Sequence, residues 1–122
     1  MFQNLMGDLV QTSRRADISS ADAECVKSTI QELLQISQEL LSYEYLITLG
    51  NDLNDGADNA PLREVMKFAI DKSNGILSGG RKRLTQLSDQ CSRLPLSYSK
   101  TQQALHVIDA TTGVLNSIKP RL

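Results

Sequence analysis

The 122-residue chain has no tryptophan, and aromatic residues make up only 4% of it. Burial must therefore rest on Leu, Ile, Val and Ala. Strand-type alternation of β-branched residues is nearly absent, which argues against a sheet and predicts an all-α fold. No apolar run approaches the roughly 18 residues that span a bilayer, so no transmembrane segment is expected. The N-terminus lacks the basic, then apolar, then small-residue order of a signal peptide. The chain is expected to be cytosolic, or else a mature domain whose Met1 replaced a removed signal.

Residue patterns that carry chemistry are missing too. The single histidine, His106, has Asp109 three residues on, but a triad needs a positioned nucleophile and no G-x-S-x-G occurs. A zinc site would need Cys25, Cys91 and His106 to converge with a fourth ligand, without the close C-x-x-C or H-x-x-x-H spacings. Glu-x-x-His motifs are absent, which excludes ferritin-like di-iron chemistry. Gly75 to Lys82 has the G-x-x-x-x-G of a phosphate loop. There, however, Arg81-Lys82 replaces Lys-Ser/Thr and no strand precedes it. In Gly50 to Asn59, Asp52, Asn54 and Asp55 precede Gly56 at the wrong spacing for a calcium loop, so that stretch reads as a solvated turn. The net charge of −1 argues against general nucleic-acid binding. No catalytic residue, cofactor or metal can be named, and the chain is read as a non-enzyme.

What is present is helical periodicity. Asn59 to Leu94 reads as one long helix, with Asp58 and Asn59 able to cap it and Pro61 in its first turn. Small or apolar residues recur at Leu62, Met66, Ala69, Ser73, Leu77, Gly80, Leu84, Leu87, Cys91 and Leu94, a stripe suited to a bundle core. Pro95 ends it. Asn74-Gly75 and Gly79-Gly80 oppose continuity, since each interior glycine costs roughly 1 kcal/mol relative to alanine. The stripe stays in phase through Gly80, so continuity is expected, with any kink, close helix crossing or pocket between Ser73 and Leu84.

Three further helices precede and follow it. Phe2, Leu5, Met6, Leu9 and Val10 define a short amphipathic helix from Phe2 to Ser13, which either docks on the bundle or is lent to a partner or a membrane surface, the membrane being disfavoured because its polar face is not lysine-rich. Ser19 and Asp22 signal the start of a helix from about Ser20 to Leu49. Its seam is Val26, Ile30, Leu33, Ser37, Leu40, Glu44 and Ile47, and Leu34, Leu41 and Tyr45 widen the face. Ser37 and Glu44 are faults in that seam. They imply a rotation toward the flanking leucines, or a groove or partner at those positions. After a link at Leu94 to Ser97, Ser99 and Gln102 form a capping-box pattern. Thr101, Leu105, Ile108, Thr112, Leu115 and Ile118 then share a face up to Pro120. The prediction is a single domain over residues 1–122: an antiparallel four-helix bundle built on a long helical hairpin, with a short N-terminal and a medium C-terminal helix.

Pairing the two long helices about the Gly50–Asn59 turn makes facing residue numbers sum to about 110. Cys25 and Cys91 miss that register by about one turn, and the gap closes if the first long helix runs on to Asn54. They are candidates for a disulfide across the open end of the hairpin, the alternative being two buried thiols. Pairing implies an exported or periplasmic protein, and free thiols a cytoplasmic one. Charge is segregated: Met1 to Pro61 carries ten acidic and three basic residues, and Leu62 to Leu122 four acidic and ten basic. The simpler consequence is that an acidic half folds against a basic half; the sharper one is a dipolar surface that steers a partner.

These features imply a non-catalytic helical interaction protein, an adaptor, assembly factor or chaperone-like bundle. Its partner would be another protein or a second copy in a homo-oligomer. Candidate partner contacts are Phe2, Leu5, Met6 and Leu9 on the N-terminal helix and the cluster Arg81, Lys82 and Arg83. The alternative is an exported, disulfide-clamped bundle that binds a small ligand or inhibits an enzyme, for which a cavity beside Ser73 and Gly80 would speak.

Overall fold

A computed structural model describes residues 2–53 and 60–118. Among these residues the chain forms four helices and no strand: α1 (Gln3–Ser13), α2 (Ser20–Leu53), α3 (Ala60–Gln90) and α4 (Pro95–Ile118). The architecture is the expected all-α bundle on a long hairpin. The Asp58 and Asn59 caps and the Asn54–Asn59 part of the turn lie outside the described residues.

The hairpin is antiparallel, and its register is fixed at three levels. The sulfurs of Cys25 and Cys91 lie at disulfide-bonding distance, with Cα atoms 6.4 Å apart. Arg83 Nε donates to Glu32 Oε2 at 2.7 Å. Gly80 faces Ile36. Facing numbers sum to 115 or 116 rather than 110, because α2 continues to Leu53 instead of ending at Leu49. Gly50 to Leu53 are therefore helical, and the turn begins later than its composition implied. The opposite correction applies to α3, which stops at Gln90. Cys91 to Arg93 form a turn, although the Cys91 N–H still donates to the Leu87 carbonyl at 3.0 Å.

α3 is unbroken through Asn74 to Gly80. Its buried stripe keeps the expected Met66, Ala69, Ser73, Leu77, Gly80 and Leu84, adds Ile70 and Ser88, and continues to Cys91 just past the helix, while the expected Leu62, Leu87 and Leu94 are half-buried. Continuity through Gly80 has a packing reason. A β-carbon there would lie 2.7 Å from Ile36 Cγ1 and closer still to Cδ1, so the missing side chain lets α2 approach.

α2 differs from the expected seam. It buries Val26, Thr29, Leu33, Ile36, Leu40 and Ile47. The helix is rotated toward Thr29 and Ile36, and Ile30, Ser37 and Glu44 are half-buried. Leu34, Leu41 and Tyr45 do not widen the core; they are 47%, 67% and 66% exposed. Thr29 is a cheap core residue because its hydroxyl donates to the Cys25 carbonyl at 3.0 Å, leaving a methyl group to pack.

Pro95 opens α4 instead of merely closing α3. Proline suits a first helical position, where the missing N–H would have no intrahelical partner, and the Tyr98 N–H donates to the Leu94 carbonyl at 2.8 Å. Ser99 consequently lies inside the helix and not at its cap. The capping oxygen comes from α2. Asp22 Oδ1 accepts from the Ser97 N–H at 3.3 Å and from Ser97 Oγ at 2.6 Å. At the start of α2, Asp22 Oδ2 also accepts from Ser19 Oγ at 3.2 Å, and Ser19 Oγ in turn caps that helix by accepting the Asp22 N–H at 3.1 Å. One carboxylate thus satisfies polar groups at two helix N-termini, where negative charge is favoured.

α1 lies on the bundle. Phe2 and Leu9 are 1% and 0% exposed, and Leu5 and Met6 are partly buried against the core. Lys100 Nζ on α4 bonds Asp8 Oδ2 at 2.6 Å. The helix is docked, so Phe2 and Leu9 are core residues and not a free surface for a partner.

Candidate functional site

The basic cluster is tied down at two of its three residues. Arg81 forms a forked pair with Asp109 on α4, at 2.8 and 3.3 Å. Arg83 pairs with Glu32 on α2. Lys82 is exposed. The Arg81 guanidinium holds the Asp109 carboxyl below the usual carboxylate range. Arg81 and Arg83 therefore act as struts between helices, and the two pairs join both neighbours of α3 to it. Glu32–Arg83 and Asp8–Lys100 also link the acidic half of the chain to the basic half.

His106 is exposed, and the Asp109 carboxylate beside it is engaged by Arg81. Among the described residues no group of three or more His, Cys, Asp or Glu side chains is placed to hold a metal ion. No helix among them is long and apolar enough to cross a membrane.

The geometry that stands out comes from unequal helix lengths. At 1.5 Å per residue, the 11 residues of α1 span about 16 Å, against about 51 Å for the 34 of α2 and about 36 Å for the 24 of α4. α1 covers the end of the bundle where the cysteines lie, holding Lys100 through Asp8. Its first residue, Gln3, rims a shallow depression with Leu41, Glu44, Tyr45 and Thr48 of α2. Toward the hairpin turn, beyond α1, the groove between α2 and α4 is flanked by exposed apolar residues. Leu41 and Tyr45 stand on one wall at 67% and 66% exposure, and Val114 on the other at 58%.

The groove has a deeper pocket in its floor. Leu40 and Ile47 of α2, Ser73 of α3, and Leu115 and Ile118 of α4 enclose a partly open cavity of about 140 Å³. Glu44 and Thr48 border both the depression and the cavity, so the two form one continuous feature. Glu44, which looked like a fault in the α2 seam, is half-buried at this border.

Ser73 is 1% exposed, and its hydroxyl has no hydrogen-bond partner among the described residues. The other buried hydroxyls are satisfied. Thr12 donates to the Asp8 carbonyl, Thr29 to that of Cys25, and Thr101 to that of Tyr98. Ser97 donates to Asp22, and Ser88 accepts from Gln102 Nε2 at 2.8 Å.

The seam faults of α2 point to a groove or partner at Glu44, but the sequence pattern does not single out Leu41, Tyr45 or Val114 as contacts. The signal for them was there in part. Ser37 and Glu44 broke the apolar seam, and Leu41 and Tyr45 were surplus apolar residues beside it. Comparisons with protein-family models, with curated proteins and with solved structures returned no match.

Proposed function

We propose that the protein is a non-catalytic interaction module that receives an amphipathic helix of another protein in the groove between α2 and α4. The observation that carries this reading is the stretch of groove beyond α1, with Leu41, Tyr45 and Val114 exposed on its walls. α1 already fills the same groove at the other end, so a helix of similar calibre suits the part beyond it. Its anchors would follow the i, i+3, i+4 spacing of helix-in-groove recognition.

Charge selects the kind of helix. Glu44 borders both the depression and the cavity in the groove floor, and no described Lys or Arg lines either. α4 contributes no basic residue after Lys100 within Pro95–Ile118. The groove is therefore apolar with one carboxylate at its border, which favours a helix carrying Lys or Arg beside its apolar stripe. A closed Cys25–Cys91 pair belongs to an oxidising compartment, where the partner would also have to reside.

A synthetic Leu/Lys amphipathic peptide of about fourteen residues, roughly four turns, tests this by amide chemical-shift titration. Saturable shifts centred on Leu41, Glu44, Tyr45 and Val114, lost in Leu41→Lys and with a Glu-for-Lys peptide, are expected. Equal response to both peptides, or shifts elsewhere, overturns the proposal. So does light scattering that finds a homodimer whose formation buries Leu41 and Tyr45, since the occupant would then be a second copy.

A further inference from the structure

The geometry points to a small-molecule site beneath the groove: the Ser73 cavity takes a small, neutral, largely apolar ligand with one hydroxyl, of the phenol or short-alcohol class. This goes beyond helix docking and does not depend on it. Three observations carry it. The cavity, about 140 Å³, is similar in size to engineered apolar cavities of about 150 Å³ that bind benzene. Its lining is apolar except for the Ser73 hydroxyl in the floor and the Glu44 and Thr48 side chains at the border with the groove. Ser73 is 1% exposed and lacks the partner that every other buried hydroxyl among the described residues has.

The chemistry of the ligand follows from that lining. An unpaired buried hydroxyl is costly, and a ligand hydroxyl repairs it by donating to or accepting from Ser73 Oγ. Water entering from the groove could bond Ser73 Oγ but would leave the apolar lining wet, whereas a hydroxyl carried on an apolar body serves both. An anionic head group is disfavoured, since Glu44 stands at the border and no described cation lines the cavity. A fatty acid or phosphate ester is thereby excluded, and a neutral hydroxyl on a compact apolar body remains.

The test uses the full, oxidised chain with phenol and benzene as probes and follows methyl and amide shifts. Phenol is expected to give saturable shifts at Leu40, Ile47, Leu115 and Ile118, and to bind more tightly than benzene. Ser73→Ala should weaken phenol about three- to tenfold, the range of one neutral hydrogen bond, and leave benzene unchanged. If Ser73 merely tolerates its site, the phenol-to-benzene ratio stays the same in Ser73→Ala, and the inference is wrong. It is equally wrong if neither probe shifts these methyl groups up to its solubility, or if benzene binds as well as phenol. An empty cavity would leave the peptide titration untouched, so the two readings fail separately.

Discussion

Gly80 on α3 lies directly against Ile36 on α2: a β-carbon on Gly80 would sit 2.7 Å from Ile36 Cγ1. Two effects compete when alanine is placed there. Alanine gains up to about 1 kcal/mol of helix propensity over glycine. Overpacking a tight core contact costs about 1–3 kcal/mol. Ile36 is β-branched and held near one χ1 rotamer in a helix, so Cγ1 cannot swing aside. The cost wins, and Gly80→Ala is expected to destabilise by about 1 kcal/mol. Gly75 is the control: it is exposed, and a β-carbon there would meet nothing within 4 Å. Gly75→Ala should stabilise by about 0.4–1 kcal/mol. Urea midpoints moving in opposite directions confirm the contact. Ile36→Val should also cost less in the Gly80→Ala background than in the wild type.

Much of that contact was legible in the sequence, because the apolar stripe ran in phase through Gly80 and demanded a small residue on a buried face. The hairpin was legible for the same reason. Its register was not, since Gly50, Asn51 and Asp52 have turn composition but lie in the last turns of α2, where polar residues are readily tolerated. Composition reports preference and not the point of termination. The rotation of α2 was hidden because threonine counts as polar by type, while Thr29 spends its hydroxyl on its own helix and packs as an apolar group. Pro95 carried two meanings, the end of one helix and the start of the next, and only the packing of Ser97 onto Asp22 decides between them. The candidate site was half legible. Ser73 was placed on the buried face, and Glu44 was marked as a misfit. The cavity depends on how α2, α3 and α4 pack around Ser73, which no local pattern encodes.

The Cys25–Cys91 pair should be closed in protein isolated without reductant. Thiol titration of the unfolded, unreduced chain is expected to find no free sulfhydryl. The link joins residues 66 apart in sequence, and restricting so long a loop in the unfolded chain contributes about 2–4 kcal/mol. Reduction, or a Cys25→Ser/Cys91→Ser double variant, should lower the urea midpoint accordingly and leave the far-ultraviolet helical signal in place. Two titratable thiols would remove the support for an oxidising compartment.

Adjacent leucines of α2 test its rotation. Leu33 is 0% exposed and Leu34 is 47% exposed. Leu33→Ala deletes buried methyl groups and leaves a cavity, a change that costs about 2–5 kcal/mol. Leu34→Ala lies on the surface and should stay within about 0.5 kcal/mol of wild type. Leu41→Ala, on the groove wall, should also leave stability nearly unchanged while weakening peptide binding. A large loss of stability in Leu34→Ala would mean that α2 presents its other face to the core.

Asp22 makes folding sensitive to acid. Hydrogen bonds from Ser97 hold its carboxyl below the usual carboxylate range, and Ser19 adds to the same effect. An unfolded aspartate titrates near pH ~3.9. Because the folded value is lower, the unfolded chain takes up this proton first as pH falls. The stabilisation is therefore complete above about pH 5 and declines through pH ~4. It is gone below the folded value, when both states are protonated. Asp109, lowered by Arg81, acts in the same direction and window. Asp22→Asn keeps an acceptor for Ser97 but removes the titration. Thermal melts at pH 6 and pH 3 should differ less for Asp22→Asn than for the wild type, with most of the convergence arising from a lower melting temperature at pH 6. An unchanged difference between the two pH values would show that the bridge between the starts of α2 and α4 does not depend on the charge of Asp22.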